Sequence, residues 1–173
     1  MQDISVALWW RLMVEKLFTN KIIVITGATK GIGLACAERL QKEGATICCI
    51  QRSHSNLFDS FEFDLLKEEE CSNSIKAIIK KYGRIDVLIN NAGMMKESSM
   101  QDTTLETWNQ TLALNLTAPF LLSKLAMPFL IKSKGCIVNI GSIEGLGANP
   151  NHAAYCSSKA GLHGLTRATA IDH

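Results

Sequence analysis

Thr26-Gly27-Ala28-Thr29-Lys30-Gly31-Ile32-Gly33 is the stretch whose reading decides the fold. It follows the apolar run Ile22 to Ile25 and opens a helical stretch from about 32 to 43. A strand, a glycine-rich turn and a helix N-terminus in that order hold a dinucleotide. Gly27 allows the tight turn, Gly31 lets backbone approach the pyrophosphate, and Gly33 permits close helix packing. The spacing is G-x-x-x-G-x-G, and Lys30 lacks the Gly-Lys-Ser/Thr ending of an ATP-binding loop, so ATP hydrolysis is disfavoured.

Outward from this turn, further apolar runs lie at Ala45 to Ile50, Phe61 to Phe63, Val87 to Ile89 and Ile137 to Ile140. Continuous apolar runs read as strands buried on both faces. Helical patterns fall between them at about 67 to 82, 103 to 131 and 153 to 170, whereas residues 52 to 60 are too few for a helix and predict a loop. Strands alternating with helices imply right-handed βαβ units. The expected fold is α/β, a Rossmann-type doubly wound parallel sheet in three layers. It occupies residues 20–173, after an amphipathic helical extension over residues 1–19 in which Leu8, Trp9, Leu12, Met13 and Leu17 fall near helical spacing.

Composition narrows the partners. The chain has 173 residues, 47% of them hydrophobic, which excludes global disorder and leaves room for one domain. Eighteen basic against 16 acidic side chains give a net charge of +2, too little for a nucleic-acid footprint. The apolar stretch from Val6 to Val14 is interrupted by Arg11 and is too short for an integral membrane segment. Six cysteines form no C-x-x-C pair and no zinc spacing, so no metal is expected. Cys36, Cys48, Cys49 and Cys136 lie in apolar runs and read as small buried hydrophobes, which fits a reducing, cytoplasmic setting.

The second strand ends Gln51-Arg52, offering no carboxylate to a ribose hydroxyl. Arg52, with Lys30 on the neighbouring turn, offers charge to a 2′-phosphate, so NADP is expected ahead of NAD. The fourth strand ends Asn90-Asn91-Ala92-Gly93, small residues that face the glycine turn if this strand adjoins the first. After the fifth strand come Ser142 and, 13 residues later, Tyr155, with Lys159 four residues beyond. On a helix Tyr155 and Lys159 share a face, and an ammonium favours phenolate. Tyr155 can then exchange a proton with a substrate oxygen that also receives a hydrogen bond from Ser142. His152 reads as a loop or interface residue.

These motifs, in this order and at these intervals, resemble the short-chain dehydrogenase/reductase family in its commonest form. The resemblance runs from residue 17 to 173 through Thr26 to Gly33, Asn90 to Gly93, Asn115, Ser142 and the Tyr155/Lys159 pair. It implies an NAD(P)-dependent oxidoreductase that interconverts a secondary alcohol and a ketone. Tyr155 would be the general acid/base, Ser142 the donor to the substrate oxygen, and Lys159 the residue bound to nicotinamide ribose. Asn115, Ser142, Tyr155 and Lys159 form the expected catalytic set. The expected cofactor set is Gly27, Thr29, Lys30, Gly31, Ile32, Gly33, Arg52, Asp64, Asn91, Ala92 and Gly93, with Tyr155 and Lys159; Asp64 looks like the family's adenine contact. A small-molecule substrate and a homo-oligomer, dimer or tetramer, are also implied.

Asn115 has a physical argument of its own. Pro119 lacks the N–H that would bond the carbonyl of residue 115, so the helix is expected to kink and free that carbonyl for a water serving Lys159. The helices at 103 to 131 and 153 to 170 carry Leu121, Leu125, Phe129, Leu162 and Leu165 beyond what one sheet face needs, which predicts pairing across a two-fold axis. Family members continue past the point matching His173, so the expectation is a fold lacking its last strands, with the fifth strand as an edge. The alternative expectation is a catalytically incomplete nucleotide-binding or subunit-partner protein.

Overall fold

The first strand, β1 (Ile22–Thr26), is buried at all five positions because β2 (Thr46–Gln51) and β4 (Val87–Asn90) pair with it on either side. The chain is represented by a computed structural model that describes residues 16–173. Outside β2 lies β3 (Asp59–Glu62), and outside β4 lies β5 (Cys136–Asn139). All pairings are parallel, in the order β3-β2-β1-β4-β5. The order reverses between β1 and β4, and the cleft of such a sheet opens at that point, outside the carboxyl ends of the strands.

Helices α1 (Gly31–Lys42), α2 (Glu68–Tyr82), α3 (Leu105–Leu112) and α4 (Ala118–Ser133) lie in the crossovers, and α5 (Ala153–Asp172) follows the last strand. One core packs Val24, Cys48, Ile50 and Leu88 of the sheet against Ile75 and Ile78 of α2 and Ala118, Leu122 and Ala126 of α4. The other packs Ile23, Ile25, Cys49 and Ile89 against Ala37 of α1. Two faces covered by helices make the expected three layers. The helical stretch Leu105–Ser133 is apolar and long enough to cross a bilayer, yet α4 buries that apolar face against the sheet.

Several expectations change. The runs at Phe61 to Phe63 and Ile137 to Ile140 do not form strands buried on both faces. Among the described residues β3 and, as the family resemblance led us to expect, β5 are the sheet's edges, and neither has a buried residue. Cys136 is accordingly exposed, while Cys48, Cys49 and Cys71 are buried and Cys36 is half-buried. Leu121, Leu125 and Phe129 lie half-buried against the core, and Leu162 is buried. Residues 17–20 form a turn where the extension was expected to be helical, and Leu17 is 73% exposed. The remainder of that helix, Trp9 included, lies outside the described residues.

Asp86 ties the start of β1 to β4. Its side chain, 2% exposed, accepts from the Ile22 N–H at 2.9 Å, from Arg84 Nε at 2.9 Å and from Lys21 Nζ at 3.3 Å. Burial pushes this carboxyl up, but Arg84, the Ile22 N–H and Lys21 together outweigh it and hold it below the ordinary carboxylate range. A depressed folded-state pKa stabilises the fold above that range and loses its effect as pH falls through the folded value. Asp86→Asn should cost about 2 kcal/mol near neutral pH, less than for a fully buried pair because both cations are part-exposed. Urea midpoints across pH check this: the two proteins should converge in acid, and a pH-independent difference would refute the assignment.

Candidate active site

The glycine turn works by close approach. Gly27 sits at φ +69° and Gly31 at φ +60°, both in the left-handed region that favours glycine. A Cβ on Gly33 would run into the Gly27 carbonyl oxygen and the Asn91 amide, whereas one on Gly31 would meet open space. Helix α1 therefore starts tight against β1 while Gly31 fronts a cleft. No side chain caps α1 and no acidic residue lies in its first turn, so its free N–H groups and positive dipole end suit an anion.

The cleft has a volume of about 730 Å³. Gly27, Thr29, Lys30, Gly31, Ile32, Arg52, Asp64, Asn91, Ala92 and Gly93, ten of the expected cofactor residues, all line it. Gly33 lies beneath the turn. Gln51 also borders the cleft. It is buried, its Nε2 donates to Ser60 Oγ at 3.0 Å, and its Oε1 has no partner among the described residues. An uncapped helix end, a glycine with space in front of it and an orphaned carbonyl oxygen together fit a phosphate-bearing nucleotide. Asp64 anchors the wall by accepting from the Leu66 N–H at 3.1 Å.

Two side chains that sequence reasoning used differently brace this cleft. Asn91 borders it, but its amide donates to the Thr26 and Gly27 carbonyls at 2.9 and 2.8 Å, fixing the turn. Asn115 is 1% exposed; its Oδ1 accepts from the Met94 N–H and its Nδ2 donates to the Met94 carbonyl, both at 2.8 Å, and to Ser158 Oγ at 3.0 Å. The helix around it is wound as a π-helical turn, Ala113–Thr117, in which Ala118 N–H reaches back to the Ala113 carbonyl. The expected irregularity before Pro119 is thus present, and π turns of this kind recur at functional sites.

Sequence reasoning missed Thr26 and Ser158. The Thr26 hydroxyl accepts from the N–H groups of Asn91 and Ala92 at 3.0 and 2.8 Å, locking β4's end to β1's. Ser158 Oγ donates to the Tyr155 carbonyl at 2.7 Å. A hydroxyl at the end of a strand entering a glycine turn is the only local signal for the first, and none marks the second.

Ser142, Tyr155 and Lys159 stand outside the cleft's wall; the Tyr155 carbonyl is linked to it through Ser158, Asn115 and Met94. Tyr155 and Lys159 lie one turn apart on α5, with Lys159 Nζ 5.8 Å from the Tyr155 ring centre. Lys159 is 5% exposed and donates to the Ile140 carbonyl at 2.6 Å; burial pulls its ammonium below the ordinary lysine range. Ser142 Oγ accepts from the Glu144 N–H at 3.2 Å, which leaves its own hydroxyl proton free to be given elsewhere. Among the described residues no group of three or more His, Cys, Asp or Glu side chains is placed to hold a metal.

The chain matches the short chain dehydrogenase family model over residues 21–173. It is 35% identical over 167 residues to a meso-2,3-butanediol dehydrogenase of Serratia marcescens, covering 90% of this chain and 66% of that protein. A ligand-free aldohexose dehydrogenase of Thermoplasma acidophilum superposes with a TM-score of 0.86 at 34% identity, covering 90% of this chain and 62% of the other. A metagenomic short-chain oxidoreductase in complex with NADP superposes at 0.85 with 31% identity, covering 90% and 76%. The chain thus spans about two thirds of the length of the curated relatives it matches.

Proposed function

Because the chain belongs to the short chain dehydrogenase family, we propose that it is an NADP-dependent oxidoreductase that interconverts a secondary alcohol and a ketone. The observation that carries this reading is the pairing of Tyr155 with buried Lys159, bound through Ser158, Asn115 and Met94 to a glycine-lined nucleotide cleft. When bound, the cofactor supplies or takes up the hydride. Gly27, Gly31 and the α1 N-terminus would hold its phosphates, and Asp64, on the same cleft wall, would contact its adenine.

The chain's own residues handle the proton. Tyr155 gives it to, or takes it from, the substrate oxygen, and the free hydroxyl proton of Ser142 hydrogen-bonds that same oxygen. Lys159 provides a buried cation 5.8 Å from the centre of the phenol ring. Asn115, held on both sides by Met94, fixes the floor on which Tyr155 and Lys159 sit. The exposed Ile143, Leu146 and Met95 flank these residues in sequence and suit a partly apolar substrate. The Serratia relative's name, a butanediol dehydrogenase, supports a hydroxyl-bearing substrate.

The NADP preference rests on Arg52 and Lys30, both on the cleft wall and exposed, beside a Gln51 that brings no negative charge. The relative solved with NADP supports it. Arg52→Ala should weaken NADPH by about tenfold or more, the loss of one charge-assisted contact, and leave NADH nearly unchanged. Fluorescence titration checks this, and equal weakening of both cofactors would refute it. Assay of the protein with a panel of ketones and secondary alcohols tests the activity itself. Cofactor binding without turnover of any of them would favour the nucleotide-binding alternative.

A further inference from the structure

We propose that Glu144 is a positioning residue whose carboxylate clamps the Ser142 loop onto the first turn of α5, and so sets Ser142 against Tyr155. The proposal rests on the oxidoreductase reading above. Glu144 belongs to a short 3₁₀ turn, Ile143–Gly145, between the two residues it would align. Its side chain is only 12% exposed and takes three donors. Oε1 accepts from Asn149 Nδ2 at 2.7 Å; Oε2 accepts from His152 Nδ1 at 2.7 Å and from Cys156 Sγ at 3.3 Å.

Each donor comes from a different part of the structure. Asn149 lies in the loop that leads into α5, His152 is the residue preceding that helix, and Cys156 follows Tyr155 directly. The backbone N–H of the same Glu144 holds Ser142 Oγ. One residue therefore grips the proposed hydrogen-bond donor through its main chain and the neighbour of the proposed acid/base through its side chain.

The protonation states agree with this arrangement. A carboxylate only accepts, so the bond to His152 places that ring's proton on Nδ1. The Asn149 amide first, and then His152, hold the Glu144 carboxyl below its ordinary range, while burial and the bond to Glu144 push the Cys156 thiol up and keep it a donor. The clamp extends one step further. Ser98 N–H donates to the Asn151 carbonyl at 2.7 Å, and Glu97 Oε1 stands 3.8 Å from His152 Nε2, so the loop after β4 closes on the same cluster. His152 meets the Tyr155 ring edge-on with centres 6.3 Å apart. Sequence reasoning left His152 as a loop or interface residue; it immediately precedes α5 and bonds Glu144 across the loop.

The test compares Glu144→Ala and Glu144→Gln with the unsubstituted protein. In Glu144→Ala, kcat should fall about 100-fold, the scale on which a displacement near 1 Å matters, with NADPH affinity and KM within about threefold. Glu144→Gln should recover most of that loss: its oxygen can take His152 and Cys156, and its NH₂ can meet an Asn149 amide turned over. Hydrogen exchange of residues 143–152, read by mass spectrometry and independent of any substrate, should be about tenfold faster in Glu144→Ala and near normal in Glu144→Gln. Wild-type exchange in Glu144→Ala overturns the clamp. So does a kcat that is undiminished, or a Glu144→Gln as impaired as the alanine variant. If no alcohol or ketone is turned over by any of the three proteins, the oxidoreductase reading fails instead, and the exchange measurement alone decides the clamp.

Discussion

Tyr155→Phe should reduce turnover by at least about 100-fold, the lower end of what a positioned acid/base contributes, while NADPH affinity stays within about twofold. The change deletes one hydroxyl and keeps a ring that is part-exposed and contacts His152 only by its edge, so little packing is lost. Its effect belongs to the transition state and should appear in kcat with KM barely moved. Lys159→Ala should differ in kind. That side chain is buried, bonds the Ile140 carbonyl and stands beside the Tyr155 ring, so its removal opens a gap, orphans a carbonyl and withdraws the cation. Turnover and cofactor affinity should both drop. Steady-state kinetics paired with fluorescence titration separates the two variants. A Tyr155→Phe protein that keeps more than about a tenth of wild-type turnover would return Tyr155 to a structural role.

What the sequence made legible and what it hid follow one division. Features written into consecutive residues were readable. The apolar runs of β1, β2 and β4 declare burial on both faces, the glycines declare the turn, and Tyr155 and Lys159 declare a shared helical face. Features that depend on a partner far along the chain were not. Asn115 was singled out for a backbone carbonyl freed by Pro119, yet its side chain is what joins Met94 to Ser158, residues 21 and 43 positions away. Thr26 reaches Asn91 across 65 positions, and its place before the glycine turn marks the hydroxyl but not its partner.

Edges were illegible in the strands' own residues, and β5 was expected at an edge only through the family resemblance. Cys136-Ile137-Val138 looks as apolar as Val87-Leu88-Ile89, but β4 has a strand on each side and β5 has one among the described residues, so Val138 is 42% exposed where Leu88 is buried. A strand's own residues do not record how many neighbours it has.

The glycine turn offers the second large effect, because its tolerance differs sharply between positions that look alike in sequence. Gly33→Ala places a Cβ against the Gly27 carbonyl and the Asn91 amide, neither of which can yield. The carbonyl belongs to the turn itself, and the amide is held by two backbone oxygens. The start of α1 must therefore back away from β1, which moves the N–H groups that front the cleft. A loss of about 3 kcal/mol in stability is expected, at the high end for overpacking because the obstacle is backbone. NADPH affinity should fall about 100-fold, since the phosphate-facing end of α1 is no longer where Gly31 and Thr29 expect it. Gly164→Ala is the matched control. It too puts a methyl on a helical glycine, but its Cβ meets nothing within 4 Å, so helix propensity should make it more stable by about 0.5–1 kcal/mol with binding unaltered. Urea unfolding and cofactor titration on the two variants settle the point. If Gly33→Ala bound NADPH like the unsubstituted protein, close contact between α1 and the β1 turn would not be what builds the nucleotide site, and the cleft would have to hold its ligand by Arg52 and Lys30 alone.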